Sequence, residues 1–351
     1  KGYGAAVISG TVRELKLYGQ LGFKAFAEPV GTKEAAFVPM YLTKQDYEQS
    51  VAARFQHKRH TFYPGPNELT ADLKKSFQRS PISHRSYEFT ERFKRVQSQL
   101  INMTEASHVH LLSGSGTLAN EAMIAQISRL DSKGMVLING AFGERLKNQS
   151  LKWGLDFETI EIEWGKPFII SDVERQMRTG KYGWVLLAHG ETSTGMLNDA
   201  DHIIRLGNEL NIHVCMDCVS SIGSVPLKLK SVYLASGVSG KAIGTMTGIA
   251  MVFSNHYIDV SPSIPMYLDL GCYANGGIPY TYSSQLLESL EIALKAYDNN
   301  ARYNLLNDRY DKLLLAEQNG EFEFLTKQSY PMIVTLKVPE INKHMAKDAR
   351  L

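Results

Sequence analysis

The sequence predicts an α/β protein built on a parallel sheet, and three observations carry that reading. Short apolar runs alternate with helix-like stretches along most of the chain. Those runs carry few polar residues on either face, as expected of strands covered on both sides. Their ends are marked by clusters of glycine, serine and threonine, where a strand turns into a helix.

The chain of 351 residues has room for two domains and a fragment of a third. Residues 1–58 read as a separate N-terminal segment, with a helix-like "TVRELKLYGQLGF" and a strand-like "EPVGTKEAAFVPMYL". A basic run followed by Pro64, Gly65 and Pro66 stops regular structure at the boundary. Residues 59–298 hold the strand candidates "HVHLLSG", "GMVLING", "YGWVLLAHG", "IHVCMDC" and "GIAMVFS". Between them, "TLANEAMIAQISRL" places Leu118, Ala122, Ala125 and Leu130 near one helix face, and "DADHIIRLGNEL" does the same with Ile203, Ile204, Leu206 and Leu210. A long final helix, "SSQLLESLEIALKAYDNN", leads into a partial C-terminal domain over 299–351.

Composition narrows the function. With 38 basic and 36 acidic residues the net charge is +2, which gives no electrostatic reason to expect nucleic acid or an anionic membrane as partner. Three cysteines do not form a disulfide framework, so a reducing, cytoplasmic setting is expected. No apolar run approaches the ~18 residues of a membrane span, and no signal segment opens the chain. The first residue is Lys1 rather than Met, which predicts a missing or removed preceding segment.

Four features point to one site. In "LLSGSGTLANEA" a strand runs into Ser115, Gly116 and Thr117 and then a helix, and amides at a helix N-terminus with nearby hydroxyls suit a phosphate. Such turns also form for purely local reasons. Asp217 ends the strand "HVCMD", where the carboxyl ends of a parallel sheet bind ligands, and it can pair with a protonated ring nitrogen. Taken alone, it reads first as a helix cap or a loop salt bridge. In "AHGETSTGML", at a strand end, Glu191, Thr192, Ser193 and Thr194 fall in one turn, and the hydroxyls can hold a ligand oxygen or satisfy their own turn. Lys241 is the one charged side chain in "SGVSGKAIG"; desolvation lowers a lysine's pKa and frees its amine to attack an aldehyde.

Two rivals fail. A phosphate-binding P-loop needs glycine where this chain has Ala235 and a hydroxyl where it has Ala242. "CMDC" has no second cysteine pair, so neither zinc binding nor redox chemistry is expected and no metal is assigned. A phosphate cradle, an acid for a ring nitrogen, hydroxyls for a ring oxygen and a lysine for an aldehyde together describe pyridoxal 5'-phosphate.

The ordered motifs "YPGP", "ISHRSYEF", "SGSGTLANEA", "NGAFGER", "HGETSTG", "MDCVSSIG", "SGKAIGTMTG" and "GGIPYT" resemble those of the class V, fold-type I pyridoxal-phosphate aminotransferases, in the alanine-glyoxylate, serine-pyruvate and 2-aminoethylphosphonate-pyruvate branch. The resemblance spans about Tyr63 to Tyr297. It implies a large domain with a mainly parallel seven-stranded sheet between helices and a small α+β domain. It also implies that Ser115, Gly116 and Thr117 bind the cofactor phosphate, Phe142 stacks on the ring and Thr192 sits near the ring hydroxyl. By the same resemblance Asp217 pairs with the ring nitrogen, Val219 packs on the other ring face and Lys241 holds the cofactor aldehyde. Thr281 would reach the phosphate of a neighbouring subunit, implying a homodimer with shared active sites. The implied reaction moves an amino group from a small amino donor to a 2-oxo acid such as pyruvate or glyoxylate. A lyase or decarboxylase of the same fold, or an aminotransferase-like domain of a larger biosynthetic fusion protein, are the alternatives.

Two positions depart from the family: Gly240 stands where relatives place Asn or Gln, and Thr247 where a proline is expected. No counterpart of the family's carboxylate-binding arginine is found, and Arg350 lies in the wrong context. The N-terminal "KLYGQLGFKAFAEPVG" is similar to the last helix and strand of GNAT-type acetyltransferases, without the acetyl-CoA loop, so no acyl transfer is expected.

Overall fold

The computed structural model describes residues 4–32, 36–50, 65, 67–274 and 277–337. The prolines of the expected boundary, Gly276 and Arg350 lie outside them. The chain divides into two compact units, Lys1–Phe62 and Tyr63–Leu351.

In the first unit β4 (Ala36–Thr43) is the central strand of a small antiparallel sheet, paired with β1 (Ala5–Thr11), β2 (Lys24–Ala25) and β3 (Val30–Gly31). Helix α1 (Leu15–Gln20) is shorter than the sequence suggests, and α2 (Lys44–Gln49) starts at Thr43, whose hydroxyl accepts from the Asp46 amide at 3.0 Å.

The second unit opens with α3 (Ala71–Ser76) and α4 (Tyr87–Thr104). It then alternates β5 (His108–Gly114), α5 (Gly116–Ile127), β6 (Gly134–Ile138), α6 (Ala141–Lys152), β7 (Phe157–Glu161), α7 (Ile170–Thr179) and β8 (Trp184–Ala188). A short hairpin, β9 (Gly190–Glu191) and β10 (Met196–Leu197), precedes α8 (Ala200–Leu210), β11 (His213–Asp217), β12 (Leu234–Val238) and β13 (Gly248–Ser254). The unit continues through α9 (Gly271–Ala274), α10 (Ser284–Lys295), α11 (Asn299–Gln318) and the pair β14 (Glu323–Phe324) and β15 (Leu336–Lys337).

Seven strands form one sheet in the order β5-β13-β12-β11-β8-β6-β7. The pairings β12–β11–β8–β6–β7 are parallel, whereas β13 runs antiparallel to both β12 and β5. Both faces are buried along the inner strands β6, β8 and β12. Along β8, Val185 and Leu187 enter one apolar layer, and Trp184, Leu186 and Ala188 the other, as the two-residue period of a strand requires. The first layer packs on α4, α7, α8 and α10 through Phe93, Val173, Ile203 and Leu290; the second packs on α5 and α6 through Met123 and Leu146. Removing Trp184, fully buried across Gly134, is expected to cost ~3–5 kcal/mol.

Two expectations need correction. Helix α5 is buried nearly all round rather than on one stripe, and Leu118 and Leu130 are only half-buried. The final "long helix" is two: α10 stops at Ala296, and Asp298 caps α11 by accepting from the Ala301 amide at 3.0 Å. Among the described residues no helix is long and apolar enough to cross a membrane.

Candidate active site

The carboxyl ends of β5, β6, β8, β11 and β12 lie along one edge of the sheet, and β13, being antiparallel, starts there. Such an edge is where open α/β sheets bind ligands. Ser115, Gly116, Thr117, Phe142, Thr192, Asp217, Val219 and Lys241 line a single cavity of about 250 Å³ at this edge, together with Asn120, Arg145, Ser220 and Thr247. That volume falls below the ~300 Å³ at which drug-sized sites begin and suits one small ring system. Thr281, the ninth residue singled out in the sequence, is exposed and lines a separate recess beside Tyr267 and Tyr280.

Asp217 is buried at the end of β11. Its carboxylate accepts from Asn120 Nδ2 at 2.7 Å and from the Val219 amide at 2.9 Å. Burial pushes its pKa up, only partly offset by the Val219 amide and Asn120, and nearby Glu191 adds to the rise. A cation at this point would relieve the cost of the buried charge.

Lys241 follows β12 in a tight loop. Its carbonyl accepts from the Gly244 amide at 2.9 Å and from the Asn67 side chain. The Ala242 carbonyl accepts from Arg302 Nη2 at 2.6 Å, so α11 fixes the other side of the loop. Gly244 adopts φ +82°, a left-handed conformation that favours glycine. Burial lowers the pKa of Lys241; attraction to Asp217 opposes this, and Arg145 lowers it further. The result is an amine more readily deprotonated than a surface lysine.

At the start of α5, Ser115 is the N-cap residue, yet its hydroxyl makes no cap bond to its own helix and stays free for a ligand. Gly116 allows the helix to touch the β11 loop, since a Cβ there would lie 2.8 Å from Val219 Cγ1. Phe142 is positioned by Glu191, a fully buried carboxylate that accepts from the Phe142 and Gly143 amides at 3.1 and 3.0 Å. An acid at a helix N-terminus satisfies amides that would otherwise lack partners and complements the helix dipole. Gly140 makes room for it, because a Cβ there would come within 2.4 Å of the Glu191 side chain. The hydroxyls of Thr192 and Ser220 are hydrogen-bonded to each other.

Sequence reasoning missed Asn120, Asn67, Arg145, Ser220 and Arg302, and saw Glu191 only as part of a turn. The one signal for Glu191 was an acid among hydroxyl residues at a strand end; the others carry no local pattern.

The chemistry of the donors fits pyridoxal 5'-phosphate: an uncommitted hydroxyl at a helix N-terminus, a buried acid in want of a cation and a desolvated amine line one cavity.

Comparison with known proteins agrees. The model of the "Aminotransferase class-V" family matches residues 70–261. A 2-aminoethylphosphonate–pyruvate transaminase of Pseudomonas entomophila is 30% identical over 281 residues, covering 74% of this chain and 76% of the relative. The same enzyme of Pseudomonas fluorescens Pf-5 is 34% identical over 158 residues, covering 44% of this chain and 43% of the relative's length. Among solved structures, an alanine–glyoxylate aminotransferase from Nostoc sp. superposes with a TM-score of 0.74 at 23% identity, covering 84% of this chain and 86% of that one; at that identity the likeness establishes the fold.

Proposed function

The chain belongs to the class-V aminotransferase family, whose members depend on pyridoxal 5'-phosphate, and we propose that it transfers the amino group of a small amino donor to pyruvate or glyoxylate. The observation that carries the proposal is the meeting of Lys241 and Asp217 in one cavity. The names of the related transaminases support the choice of acceptors.

Ser115, Gly116 and Thr117 would hold the phosphate, Phe142 and Val219 the ring, and Thr192 the ring hydroxyl. When bound, the cofactor supplies an electron sink for the charge left on a substrate carbon that loses its α-proton. Asp217 supports this by keeping the ring nitrogen protonated. Lys241 would first hold the cofactor's aldehyde and, once displaced by substrate, carry the α-proton on its Nζ as general base and acid. Exposed Thr281 and the family resemblance support a homodimer, which light scattering would detect. The free thiols of buried Cys215 and Cys218 support a cytoplasmic location.

The decisive experiment loads the protein with pyridoxal 5'-phosphate, reduces it with borohydride and maps the modified peptide. Modification at Lys241, followed by ping-pong kinetics with candidate amines and 2-oxo acids, supports the proposal. Product release without amination of an acceptor would assign a lyase instead.

A further inference from the structure

Packed against the wall of the cavity is a buried tyrosine that the reaction as described does not use. Tyr330, in the turn between β14 and β15, is fully buried, and its hydroxyl completes no hydrogen bond. A Cβ on Gly190 would lie 2.8 Å from that hydroxyl, so the ring packs directly against a residue of the cavity wall. The hydroxyl faces those of Ser220 and Thr192, which also line the cavity and are bonded to each other. Three hydroxyls therefore form a string from the protein interior to the site.

We propose that Tyr330 is a positioning residue for the ring oxygen of the cofactor, acting through Ser220 and Thr192; this rests on the transaminase reading. Each hydroxyl donates one proton. Burial pushes the phenol's pKa up and the carboxylates of Glu191 and Asp217 add to the rise, outweighing the opposing pull of the Ser220 and Thr192 hydroxyls, so Tyr330 stays protonated and acts as the donor at the inner end. With Tyr330 donating to Ser220 and Ser220 to Thr192, the remaining proton of the string points into the cavity. In the opposite sense Thr192 would offer a lone pair there, which would repel an anionic ring oxygen. The cofactor's ring nitrogen is para to its aldehyde, and the phosphate arm and ring oxygen lie on opposite flanks. With Asp217, Lys241 and Ser115 to Thr117 taking the first three groups, the flank left for the oxygen is that of Gly190, Thr192 and Ser220.

The test compares the wild-type chain, Tyr330→Phe, Ser220→Ala and the double variant, each loaded with pyridoxal 5'-phosphate, by titrating the visible absorbance of the Lys241-linked cofactor against pH and measuring its Kd. A ring oxygen deprived of its donor keeps its negative charge and holds the proton on the linkage nitrogen more firmly. The apparent pKa of the band is expected to rise by ~0.5–1 unit and the Kd by ~3- to 10-fold in both variants, with the double variant no worse than Ser220→Ala alone. Glu191, Asp217 and Lys241 are unchanged throughout, so the difference isolates the string. Ser220→Ala keeps Tyr330 and its packing, which covers the case in which Tyr330→Phe folds poorly. A loss of melting temperature with unshifted band pKa and Kd in both variants would assign Tyr330 to packing and overturn the inference. A wild-type chain that forms no band overturns the transaminase reading and this inference with it.

Discussion

Gly240 and Thr247 approach each other more closely than any side chain at position 240 permits: a Cβ built on Gly240 would lie 1.9 Å from Thr247 Oγ1 and 2.7 Å from Thr247 Cα. The two departures from the family pattern on either side of Lys241 are therefore one packing solution. Gly240→Ala is expected to cost ~1–3 kcal/mol, because the neighbouring backbone must shift. Thr247→Gly in the same chain should recover only part of it, since the backbone at position 247 still stands in the way. Denaturant unfolding of the single and double variants checks this, and a Gly240→Ala chain as stable as wild type contradicts it.

Asn120 is the prop of the predicted ring-nitrogen acid. Its amide donates to Asp217, while its carbonyl accepts from Ser236 Oγ at 2.5 Å. Asn120→Ala leaves one oxygen of a buried carboxylate without a donor, and a bond to a charged group is worth ~1.5–3 kcal/mol. Affinity for pyridoxal 5'-phosphate should fall by ~10- to 100-fold in equilibrium dialysis. Asn120→Asp should do worse, because a second carboxylate would face the first. Ser236→Ala, which removes the bond to the Asn120 carbonyl and only a long 3.5 Å contact with Asp217 Oδ1, should lose less than either.

The reactivity of Lys241 should follow pH with two opposite levers. Only the neutral amine reacts, and burial lowers its pKa, so acylation of Lys241 by a small anhydride, with release of the carboxylate, should level off below the pH at which a surface lysine does. Arg145 lowers that pKa, so Arg145→Met should move the plateau to higher pH. Asp217 raises it, so Asp217→Asn should move the plateau to lower pH. Peptide mass spectrometry at graded pH reads both, and shifts of the same sign would refute the coupling.

How much of this site is legible in the sequence follows from where each residue's signal lies. Lys241 and Asp217 stand out because each is a charge in an apolar context at a strand end. Asn120 lies in mid-helix, 97 residues from the acid it serves, and nothing local marks it. Strand β12, "LASGV", escapes notice because its small residues lack the β-branched run that announces a strand, although it leads directly to Lys241. Strand β7 is an edge strand with a half-exposed face, so it lacks the continuous apolar run of its neighbours. The reversal of β13 has no local signature at all. Tyr330 comes from the segment that reads only as a partial C-terminal domain.

Three histidines make stability depend on pH. His110, His189 and His256 are each lowered to about 4, chiefly by burial; His108 and His256 contribute for His110, His213, His108 and Arg129 contribute for His256, and Asp201 opposes the shift for His189. Unfolded histidines take up protons near 6.5, so below that pH the unfolded state binds more protons than the folded one and stability falls as pH drops toward 4. For the almost fully buried His110 and His189 the loss is up to ~3 kcal/mol each. His110 Nδ1 has no partner, while Nε2 lies 3.2 Å from Ser254 Oγ, which also donates to the His256 carbonyl at 3.2 Å. His110→Leu therefore leaves Ser254 with a partner and removes the titrating group. Paired carboxylates such as Glu291, held below their usual range by Arg95 and Lys295 against the opposing effect of burial, also lose stability in acid, but equally in both chains. Denaturant midpoints measured from pH 7.5 to 4.5 should fall less steeply in His110→Leu than in wild type, and parallel curves would show that His110 does not supply the dependence.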